Sequence, residues 1–353
     1  MEKRIGIIGL GGIACGKHIP QLQQSTGGYI TAICDIDPKK LQEVGDRLGI
    51  ASHLRFTDYH QLIDCPEVDA VEICTPNHLH VPMAVAAVEA GKPYNLEKPL
   101  STDYRTAQEL SKALQAHPID NMMCFSYRFM PAVRYAKQLL SQGKLGDVVS
   151  VDVAYLKSSA FWEGRRLDWR FVKEYAGTGV LGDLGVHLID MAEFLVGSIQ
   201  EVSATTAIVV KKRQRLDSDE WADVDTDDYC SFLANISGGV KAVFSITRCA
   251  LGHANTIKYD IFCTNGTLSF DLTRPELLML HIGREDPNHQ RLETVTVPPE
   301  FHTTQEQTFL DLLNGKPCPY LPTTEDGLRC QQILDAIERS DREKRWIRIT
   351  ECN

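Results

Sequence analysis

The chain has 353 residues, 43% of them hydrophobic, and a formal net charge of -10. This length and apolar content suffice for two ordinary domains with packed cores, so we expect a folded protein rather than a disordered one. The acidic balance and the lack of a basic run in the sequence argue against nucleic acid as a partner. No stretch of the sequence approaches the length of a membrane span, which argues against a membrane protein.

The chain contains eleven cysteines, an odd number without a C-x-x-C pair. This pattern fits neither a disulfide framework nor a zinc knuckle, and it favours reduced thiols in a cytoplasmic protein. A secretory signal is the alternative, because basic residues 1–4 precede the apolar run 5–14 and Cys15. That run is short and contains four glycines, so we interpret it as a buried strand followed by a turn.

The first part of the chain alternates short apolar runs with helical patterns. The predicted strands are 4–8, 30–34, 70–74, 93–96 and 122–125. The predicted helices between them are 18–26, 38–48 and 80–90. Strands that alternate with helices form a parallel, doubly wound sheet, so residues 1–125 are predicted to be one α/β domain.

From residue 148 onwards the pattern changes to strands with few helices between them. The predicted strands are 149–155, 201–210, 229–236, 240–247, 257–263, 267–271, 277–282 and 293–297. Turn signals such as Ser237-Gly238-Gly239 and Asn265-Gly266 join several of them, which predicts a largely antiparallel open sheet. We predict one helix within this region, 184–195, and an exposed loop at 211–228.

Residues 126–353 are therefore predicted to form a second domain of the α+β class, which binds the substrate and mediates oligomerisation. A final helix is predicted at 326–339, and it is a candidate to pack back near the first domain. One face of the second sheet remains after helices cover the other. We expect another subunit to bury it in a homodimer or homotetramer, an inference by analogy between folds.

A glycine-rich turn follows the first predicted strand and precedes a helical pattern. In such a G-x-G-x-x-A turn the glycines permit a tight bend and close approach of the backbone to a pyrophosphate, whose charge the helix N-terminus favours. A glycine turn that serves packing alone is the alternative. The predicted cofactor contacts in this turn are Gly9, Gly11, Gly12, Ile13 and Ala14.

Asp35 strengthens the prediction of dinucleotide binding. It ends the second strand, 21 residues after Ala14, where a carboxylate can accept hydrogen bonds from the hydroxyls of the adenosine ribose. Asp35 can also begin the turn that ends at Pro38, and the two interpretations are compatible. Because Asp35 would repel a 2′-phosphate and Ile36 offers no guanidinium to receive one, we expect NAD rather than NADP.

Three further segments carry polar residues where ligands could bind: 74–80, 97–99 and 182–190. The first two follow strands of the parallel sheet, at the carboxyl ends where open α/β sheets bind ligands. In the third, Asp183 and His187 are four residues apart and share a face if the segment is an α-helix. Each has a plainer interpretation: Asp183 as a helix cap, His187 as a core histidine, and Lys98 as a surface lysine.

With these motifs together, the chain resembles the glucose–fructose oxidoreductase, inositol dehydrogenase and MocA (Gfo/Idh/MocA) family. Glu97-Lys98-Pro99 matches the family's E-K-P signature and Thr75-Pro76-Asn77 its T-P-N segment. Asp183 and His187 match its D-x-x-x-H helix, and the resemblance extends from Ile5 to Gly327. It implies a Rossmann domain that binds NAD and an enzyme that acts on a sugar or polyol.

The resemblance also implies roles for single residues. Arg128, after Tyr127, matches a common family position, and Asp168-Trp169-Arg170 is similar to a segment that faces cofactor and substrate in many members. The implied cofactor contacts, besides the glycine turn and Asp35, are Thr75, Pro76, Asn77, His80, Glu97, Lys98, Trp169 and Arg170. The implied substrate contacts are Tyr127, Arg128, Asp168, Asp183 and His187. Segments 157–166 and 211–228 match no family pattern, so the substrate stays open.

Elementary chemistry assigns the catalytic roles. Oxidation of a secondary alcohol by hydride transfer requires removal of the hydroxyl proton, a task suited to a histidine, and we expect His187 to be this base. Lys98 would donate a hydrogen bond to the same oxygen and stabilise the developing alkoxide. Asp183 would orient the substrate or His187.

Three other functions stay open from the sequence. A glycosidase of the same fold would use NAD transiently, with no net reduction. A catalytically silent NAD-binding regulator gains little support, because Lys98, Asp183 and His187 are all present. Metal-dependent alcohol oxidation would use Asp183 and His187, but no third Cys or His stands at ligand spacing, so we predict no metal.

Overall fold

The computed structural model describes residues 2–284 and 291–352. The chain forms two compact units, each continuous in space but not in sequence. The first comprises Met1–Ser126 and Thr303–Arg329, and the second comprises Tyr127–His302 and Cys330–Asn353. Among the described residues, no helix is both long and apolar enough to cross a membrane.

The first unit is built on a six-stranded parallel sheet in the order β3-β2-β1-β4-β5-β6. Its strands are β1 (Lys3–Ile8), β2 (Gly28–Cys34), β3 (Arg55–Phe56), β4 (Ala70–Ile73), β5 (Tyr94–Leu96) and β6 (Asn121–Met123). Its first helices are α1 (Ile19–Gln24), α2 (Pro38–Leu48), α3 (Tyr59–Ile63), α4 (His80–Glu89) and α5 (Tyr104–Ala116). This strand order is that of a Rossmann fold, so the predicted fold class is confirmed for this unit. The sequence analysis missed β3, α3 and α5.

Local signals explain why these elements begin and end where they do. The Asp37 side chain accepts a hydrogen bond from the Lys39 backbone N–H and caps α2, and Pro38 supplies its first residue. Gly49 ends that helix with φ of 69°, a left-handed conformation that glycine adopts at little cost. Ile5, Ile7 and Ile8 of β1 are buried, as expected for a strand covered on both faces.

The first helical segment begins and ends earlier than the predicted 18–26, because it runs over residues 12–24. A turn of π-helix spans Ala14–His18, and the α-helix occupies Ile19–Gln24. His18 ends the π turn and is completely buried. Such wide turns inside helices often occur at functional sites, and this one is used to turn an imidazole into the interior.

The second unit is built on a nine-stranded sheet in the order β16-β15-β14-β13-β7-β12-β11-β8-β17. Strands β7 and β12 pair in parallel and the other described pairs of this sheet are antiparallel, so the prediction of a largely antiparallel sheet is confirmed. The first strands in chain order are β7 (Val148–Leu156), β8 (Ile199–Ala207), β9 (Lys212–Gln214), β10 (Trp221–Asp223), β11 (Tyr229–Ile236) and β12 (Lys241–Thr247). The others are β13 (Thr256–Cys263), β14 (Gly266–Asp271), β15 (Leu277–Ile282), β16 (Glu293–Thr296) and β17 (Ile347–Arg348).

Helices are more numerous after residue 126 than predicted. The structure adds α6 (Pro131–Ser141) and α7 (Lys173–Ala176) before the expected helix α8 (Val186–Leu195). Later, α9 (Gln305–Leu313) lies in the first unit, and α10 (Thr324–Glu343) runs from the first unit into the second. The prediction of a single helix before the final one was therefore wrong. Short or weakly amphipathic helices such as α7 and α9 leave little periodicity in a sequence.

The prediction of an exposed loop at 211–228 was also wrong. Strands β9 and β10 form a two-stranded hairpin there. Arg213 and Asp228 are 5% and 0% exposed, because Arg213 donates to the carbonyl of Ala160 and Asp228 pairs with Arg248. Charged residues are usually solvated, and only internal partners allow these two to be buried.

Candidate active site

The glycine turn connects β1 to the π turn of the first unit. Gly9 has φ of 91°, and a Cβ there would approach the carbonyl oxygen of Cys74 to 2.8 Å, so the turn itself requires glycine. A Cβ on Gly11 or Gly12 would meet nothing within 4 Å. These two glycines therefore leave open space against the backbone, as a pyrophosphate would need. Ile13 beside them is 38% exposed, and Ala14 is buried.

Asp35 ties the end of β2 to the glycine turn. One carboxylate oxygen accepts the Leu10 backbone N–H at 2.8 Å, and the other accepts the Asp37 N–H at 2.9 Å. A carboxylate offers about four lone-pair positions, so two backbone donors leave capacity for ribose hydroxyls. Neighbouring Ile36 is 90% exposed and adds no polar group. Asp35 thus serves the turn and remains able to bind a ribose.

His80 joins the two loops that carry the T-P-N and E-K-P motifs. Its Nδ1 lies 2.7 Å from the carbonyl oxygen of Pro99 and its Nε2 lies 2.9 Å from that of Thr75. Burial lowers the pKa of His80, which favours the neutral ring. Because both partners are acceptors, a neutral ring donates to one of them at a time. Thr75 and Pro76 are half-buried and Asn77 is buried.

Glu97 and Lys98 follow β5 at its carboxyl end. The Glu97 carboxylate is buried, and one of its oxygens accepts the Lys98 backbone N–H at 3.1 Å. Its other oxygen lies 2.9 Å from Nε2 of His18. The geometry thus turns Glu97 inward, where it fixes the backbone of the half-buried Lys98.

His18 is the centre of a buried carboxylate network in the first unit. Besides the contact to Glu97, its Nδ1 lies 3.0 Å from Glu72 and 3.2 Å from Glu306. Burial disfavours the imidazolium, but contacts with Cys74, Glu306 and Glu72 outweigh it and raise the pKa of His18 well above its ordinary value. The sequence analysis did not identify this network, because its members are separated by up to 288 positions.

His18 favours the ionised form of both Glu97 and Glu306, but the net shifts of their pKa values are opposite. Burial alone would raise the pKa of Glu97, but the hydrogen bond and the charge of His18 lower it to about 2. Burial and the nearby Glu72 instead raise the pKa of Glu306. One cation thus supports an ionised Glu97, while Glu306 tends towards its neutral form.

The same cluster includes two sets of three potential metal ligands, His18 with Glu97 and Cys124 and His18 with Glu72 and Cys74. Burial raises the pKa of the Cys74 thiol to about 11 and that of Cys124 well above its ordinary value. Metal ligation needs a thiolate, and both imidazole nitrogens already face carboxylates. We therefore interpret the cluster as a hydrogen-bonded charge network.

Asp183 and His187 lie on consecutive segments of the second unit. Asp183 belongs to a π turn, Leu181–Gly185, and His187 to α8, which begins at Val186. The four-residue spacing therefore lacks the regular α-helical geometry that the sequence argument assumed. His187 is 6% exposed, and its ring meets that of Tyr127 edge-on at a centroid distance of 4.5 Å.

Two tyrosines and an asparagine form a hydrogen-bonded group next to His187. The hydroxyls of Tyr127 and Tyr155 are 2.8 Å apart, and the Tyr155 hydroxyl donates to Asn255 at 2.8 Å. Burial and Tyr127 raise the pKa of Tyr155 well above its ordinary value, and Asp183 adds to this effect. The group therefore brings Tyr127, His187 and Asp183 into one region of this unit. The inward alternation of strand β7 was the available signal for Tyr155, whereas Asn255 had none.

Arg128 forms a buried ion pair in the second unit. It is 5% exposed, and its Nε donates to both carboxylate oxygens of Asp190 at 3.0 and 2.9 Å. Its Nη2 donates to the same carboxylate at 2.6 Å. Asp190 is on α8, three residues after His187, so this ion pair supports the helix that carries His187.

Asp168, Trp169 and Arg170 start a short 3-10 helix. The Asp168 carboxylate caps it by accepting the Arg170 backbone N–H at 2.8 Å. The Arg170 guanidinium lies 4.4 Å from the centroid of the Trp169 ring. All three side chains are half-buried. The segment thus keeps part of its polar surface accessible, as a ligand contact requires.

Comparison with known proteins identifies the family. Residues 3–121 match the family model described as an oxidoreductase family with an NAD-binding Rossmann fold, and residues 133–269 match the Gfo/Idh/MocA C-terminal domain. Levoglucosan dehydrogenase of Pseudarthrobacter phenanthrenivorans is 31% identical over 91% of this chain and 90% of its own length. Inositol 2-dehydrogenase of Rhizobium meliloti is 26% identical over 99% of this chain and 100% of its own.

A solved structure of levoglucosan dehydrogenase in complex with NADH and levoglucosan is similar over 99% of this chain and 100% of its own, with a TM-score of 0.88 and 27% identity. These matches cover both units and include the segments that carry the E-K-P and D-x-x-x-H motifs. The resemblance inferred from the sequence is thereby confirmed. The chain belongs to the Gfo/Idh/MocA oxidoreductase family, and its N-terminal domain is an NAD-binding Rossmann fold.

Proposed function

We propose that the protein oxidises a secondary hydroxyl of a sugar, cyclitol or other polyol, with NAD as the hydride acceptor. The observation that carries this proposal is the match over nine-tenths of the chain to levoglucosan dehydrogenase, in a sequence that holds Lys98, Asp183 and His187. The inositol 2-dehydrogenase relative supports the same substrate class.

The residues of the first unit fit an NAD molecule. The open space at Gly11 and Gly12 accommodates a pyrophosphate next to a helical N-terminus, and Asp35 keeps lone pairs for the ribose. Bound NAD would supply the hydride chemistry, and the protein supplies placement and electrostatics. We propose NAD rather than NADP, because the Asp35 carboxylate would repel a 2′-phosphate and Ile36 has no positive charge to offset that repulsion.

In this proposal the protein's own side chains remove the proton from the substrate hydroxyl. We assign proton removal from the substrate hydroxyl to His187, whose ring is held edge-on by Tyr127. Lys98 donates a hydrogen bond to the oxygen and stabilises the alkoxide as it forms. Asp183 orients the substrate or His187, and Arg128 acts as a positioning residue through Asp190 on α8.

The remaining site residues keep the roles implied by the family. Thr75, Pro76, Asn77 and His80 line the cofactor in this proposal, with Trp169 and Arg170, and Asp168 contacts the substrate. Glu97 keeps its implied place at the cofactor and also holds the Lys98 backbone.

We further propose a homo-oligomer. The outer face of the second sheet exposes Leu233, Val243 and Phe262 to between 38% and 47%, and Leu233 and Val243 are direct cross-strand neighbours. A second copy of the chain would remove this apolar surface from water. Sedimentation of the purified protein tests this, and a monomer at micromolar concentration would refute it. The eleven cysteines are free thiols, which supports the proposed cytoplasmic location.

A substrate panel tests the function. The purified protein is incubated with NAD and, in turn, cyclitols, aldoses, anhydrosugars and amino sugars, while NADH absorbance and product are both measured. Product that forms in step with NADH supports the proposal. Product without NADH would instead indicate the glycosidase alternative, and binding of NAD with no product from any class would indicate a silent regulator.

A further inference from the structure

Three guanidinium groups of the second unit surround one buried phenyl ring. The Cζ atoms of Arg213, Arg248 and Arg165 lie 4.2, 4.6 and 4.9 Å from the centroid of Phe171, which has no exposed surface. Cations are attracted to aromatic faces, but three like charges around one ring also repel one another. Such an arrangement needs negative charge nearby.

The carboxylates of this unit neutralise the cluster unevenly. Arg248 is satisfied, because its Nε donates to the buried Asp228 at 2.6 Å. Arg213 is held by backbone oxygens, since its two Nη atoms donate to the carbonyls of Ala160 and Arg165. Within the part of the chain that the structure describes, Arg165 has one side-chain contact to a carboxylate, 3.5 Å from Nη2 to Asp168, at the outer limit of a hydrogen bond.

Buried donors are left without acceptors in the same place. The Nε atoms of Arg165 and Arg213 are buried and have no hydrogen-bond partner among residues 2–284 and 291–352. Arg213 as a whole is 5% exposed. Buried guanidinium donors are normally satisfied, so each of these atoms calls for an explanation.

The charge balance agrees with the geometry. Burial lowers the pKa of Arg165, and Arg248 and Arg170 lower it further, while Asp168 and Asp183 oppose them. Arg170 adds a fourth guanidinium, stacked on Trp169. At Arg165, burial and the neighbouring guanidinium groups thus outweigh the carboxylates, and Asp183 lies within electrostatic range.

We propose that this guanidinium cluster, Arg165, Arg213 and Arg248, binds an anionic group of the substrate, a phosphate or a carboxylate, with Arg165 as its main donor. A guanidinium presents parallel N–H donors that match both oxyanions, and it holds them best where water is partly excluded. Arg165 is suited to this role because its side chain is 18% exposed and weakly committed to Asp168.

The inference deepens the proposed function, on which it rests, by naming the substrate class. A polyol with one acidic substituent would be selected over its neutral counterpart. Two members of the cluster, Arg165 and Arg213, lie in segments 157–166 and 211–228, where the sequence offered no family motif.

Binding to the NADH-saturated protein tests the proposal by calorimetry, with glucose, glucose 6-phosphate and gluconate as probes. We expect at least one anionic probe to bind more than tenfold tighter than glucose, and this advantage to shrink as salt is added. Arg165→Gln should weaken that probe about ten- to hundredfold, since a charged hydrogen bond is lost, and leave glucose unchanged. The affinity of Arg165→Lys for that probe should lie between those of the wild type and Arg165→Gln, because lysine keeps the charge but lacks the parallel N–H donors of a guanidinium. Arg274→Gln, at an exposed arginine of the same unit, is the matched control.

The outcomes of this experiment distinguish a phosphate from a carboxylate, and the anion site from the proposed dehydrogenase function. Preference for glucose 6-phosphate assigns a phosphate, and preference for gluconate assigns a carboxylate. Equal binding of glucose and both anions overturns the inference, as does anion binding that saturating NADH abolishes, because the arginines would then serve the dinucleotide. Oxidation of neutral sugars without any binding of the anionic probes would support the proposed function and refute the anion site. Anion binding without NADH formation from any polyol would support the anion site and refute the proposed dehydrogenase activity.

Discussion

Replacement of His18 by glutamine tests how the protein uses its buried charge network. The His18 side chain has no exposed surface, and its two ring nitrogens face Glu72, Glu97 and Glu306 at 2.9 to 3.2 Å. Glutamine has a similar length and still donates one hydrogen bond to a carboxylate, but it cannot carry a positive charge. His18→Gln therefore leaves ionised Glu97 buried without its cation.

The expected loss follows from that burial. Removal of one partner from a buried ion pair costs about 3–5 kcal/mol, and the remaining amide hydrogen bond places this variant near the lower value. For a unit of this size, 1 kcal/mol lowers the unfolding midpoint by about 2–4 °C. We expect the transition of the first unit, identified as the one that NAD raises, to shift down by roughly 6–12 °C.

The effect should also depend on pH. The raised pKa of His18 means that its contribution is present below its ordinary value of 6.5 and lost as the pH rises through the raised value. The lowered pKa of Glu97 means that its contribution is present above 4.5 and lost as the pH falls towards about 2. The free energy of unfolding of the wild type should thus exceed that of the variant most between about pH 5 and 6.5. The difference should shrink at lower and at higher pH.

His53→Gln is the matched control in thermal unfolding followed by circular dichroism. His53 lies 3.4 Å from Glu67, but the two side chains are 70% and 50% exposed, and exposed pairs contribute about 0–1 kcal/mol. The control should change the midpoint by no more than about 2–4 °C at any pH. If His18→Gln behaves like this control, the network does not stabilise the first unit and our interpretation of its charges is wrong.

Three further predictions concern the proposed chemistry, measured as NADH formation on the best substrate found. Lys98→Met keeps the aliphatic stem and should lower turnover about a hundred- to thousandfold with NAD titration nearly unchanged; more than a tenth of wild-type turnover would contradict its role. His187→Ala should lower turnover about a hundred- to ten-thousandfold and remove the rise of the oxidative rate with pH, and an unchanged pH profile would make His187 a packing residue. Asp35→Ala should weaken NAD binding about ten- to hundredfold, and equal wild-type efficiency with NADP would refute the assigned selectivity.

The sequence predicted the sheets better than the helices. Strand β1 and the glycine turn were identifiable because a buried apolar run ends at Gly9, where the backbone requires glycine. Helices α7 and α9 were missed because four and nine residues provide little helical periodicity. The π turns at Ala14–His18 and Leu181–Gly185 were not foreseeable, since one extra residue per turn leaves no compositional mark.

At the candidate site, motifs predicted which residues matter but not what each contacts. Glu97 belongs to the E-K-P motif, yet the structure turns its carboxylate towards His18 and the Lys98 backbone. Arg128 is predicted to contact the substrate, and in the structure its guanidinium pairs with Asp190. Both contacts are buried ion pairs between residues more than 60 positions apart, and a single sequence contains no signal for such pairs.

These buried pairs indicate how the fold holds its reactive side chains. A lysine and a histidine with several rotatable bonds would lose conformational entropy on being fixed, so their backbones must be held by groups that do not move. In the first unit the Lys98 backbone is bonded to Glu97, which His18 holds in turn. In the second unit Arg128 donates a hydrogen bond to Asp190, which lies on the helix that carries His187. Because His18 and Arg128 act through Glu97 and Asp190, a variant of either should impair positioning through its neighbour rather than the chemical step itself.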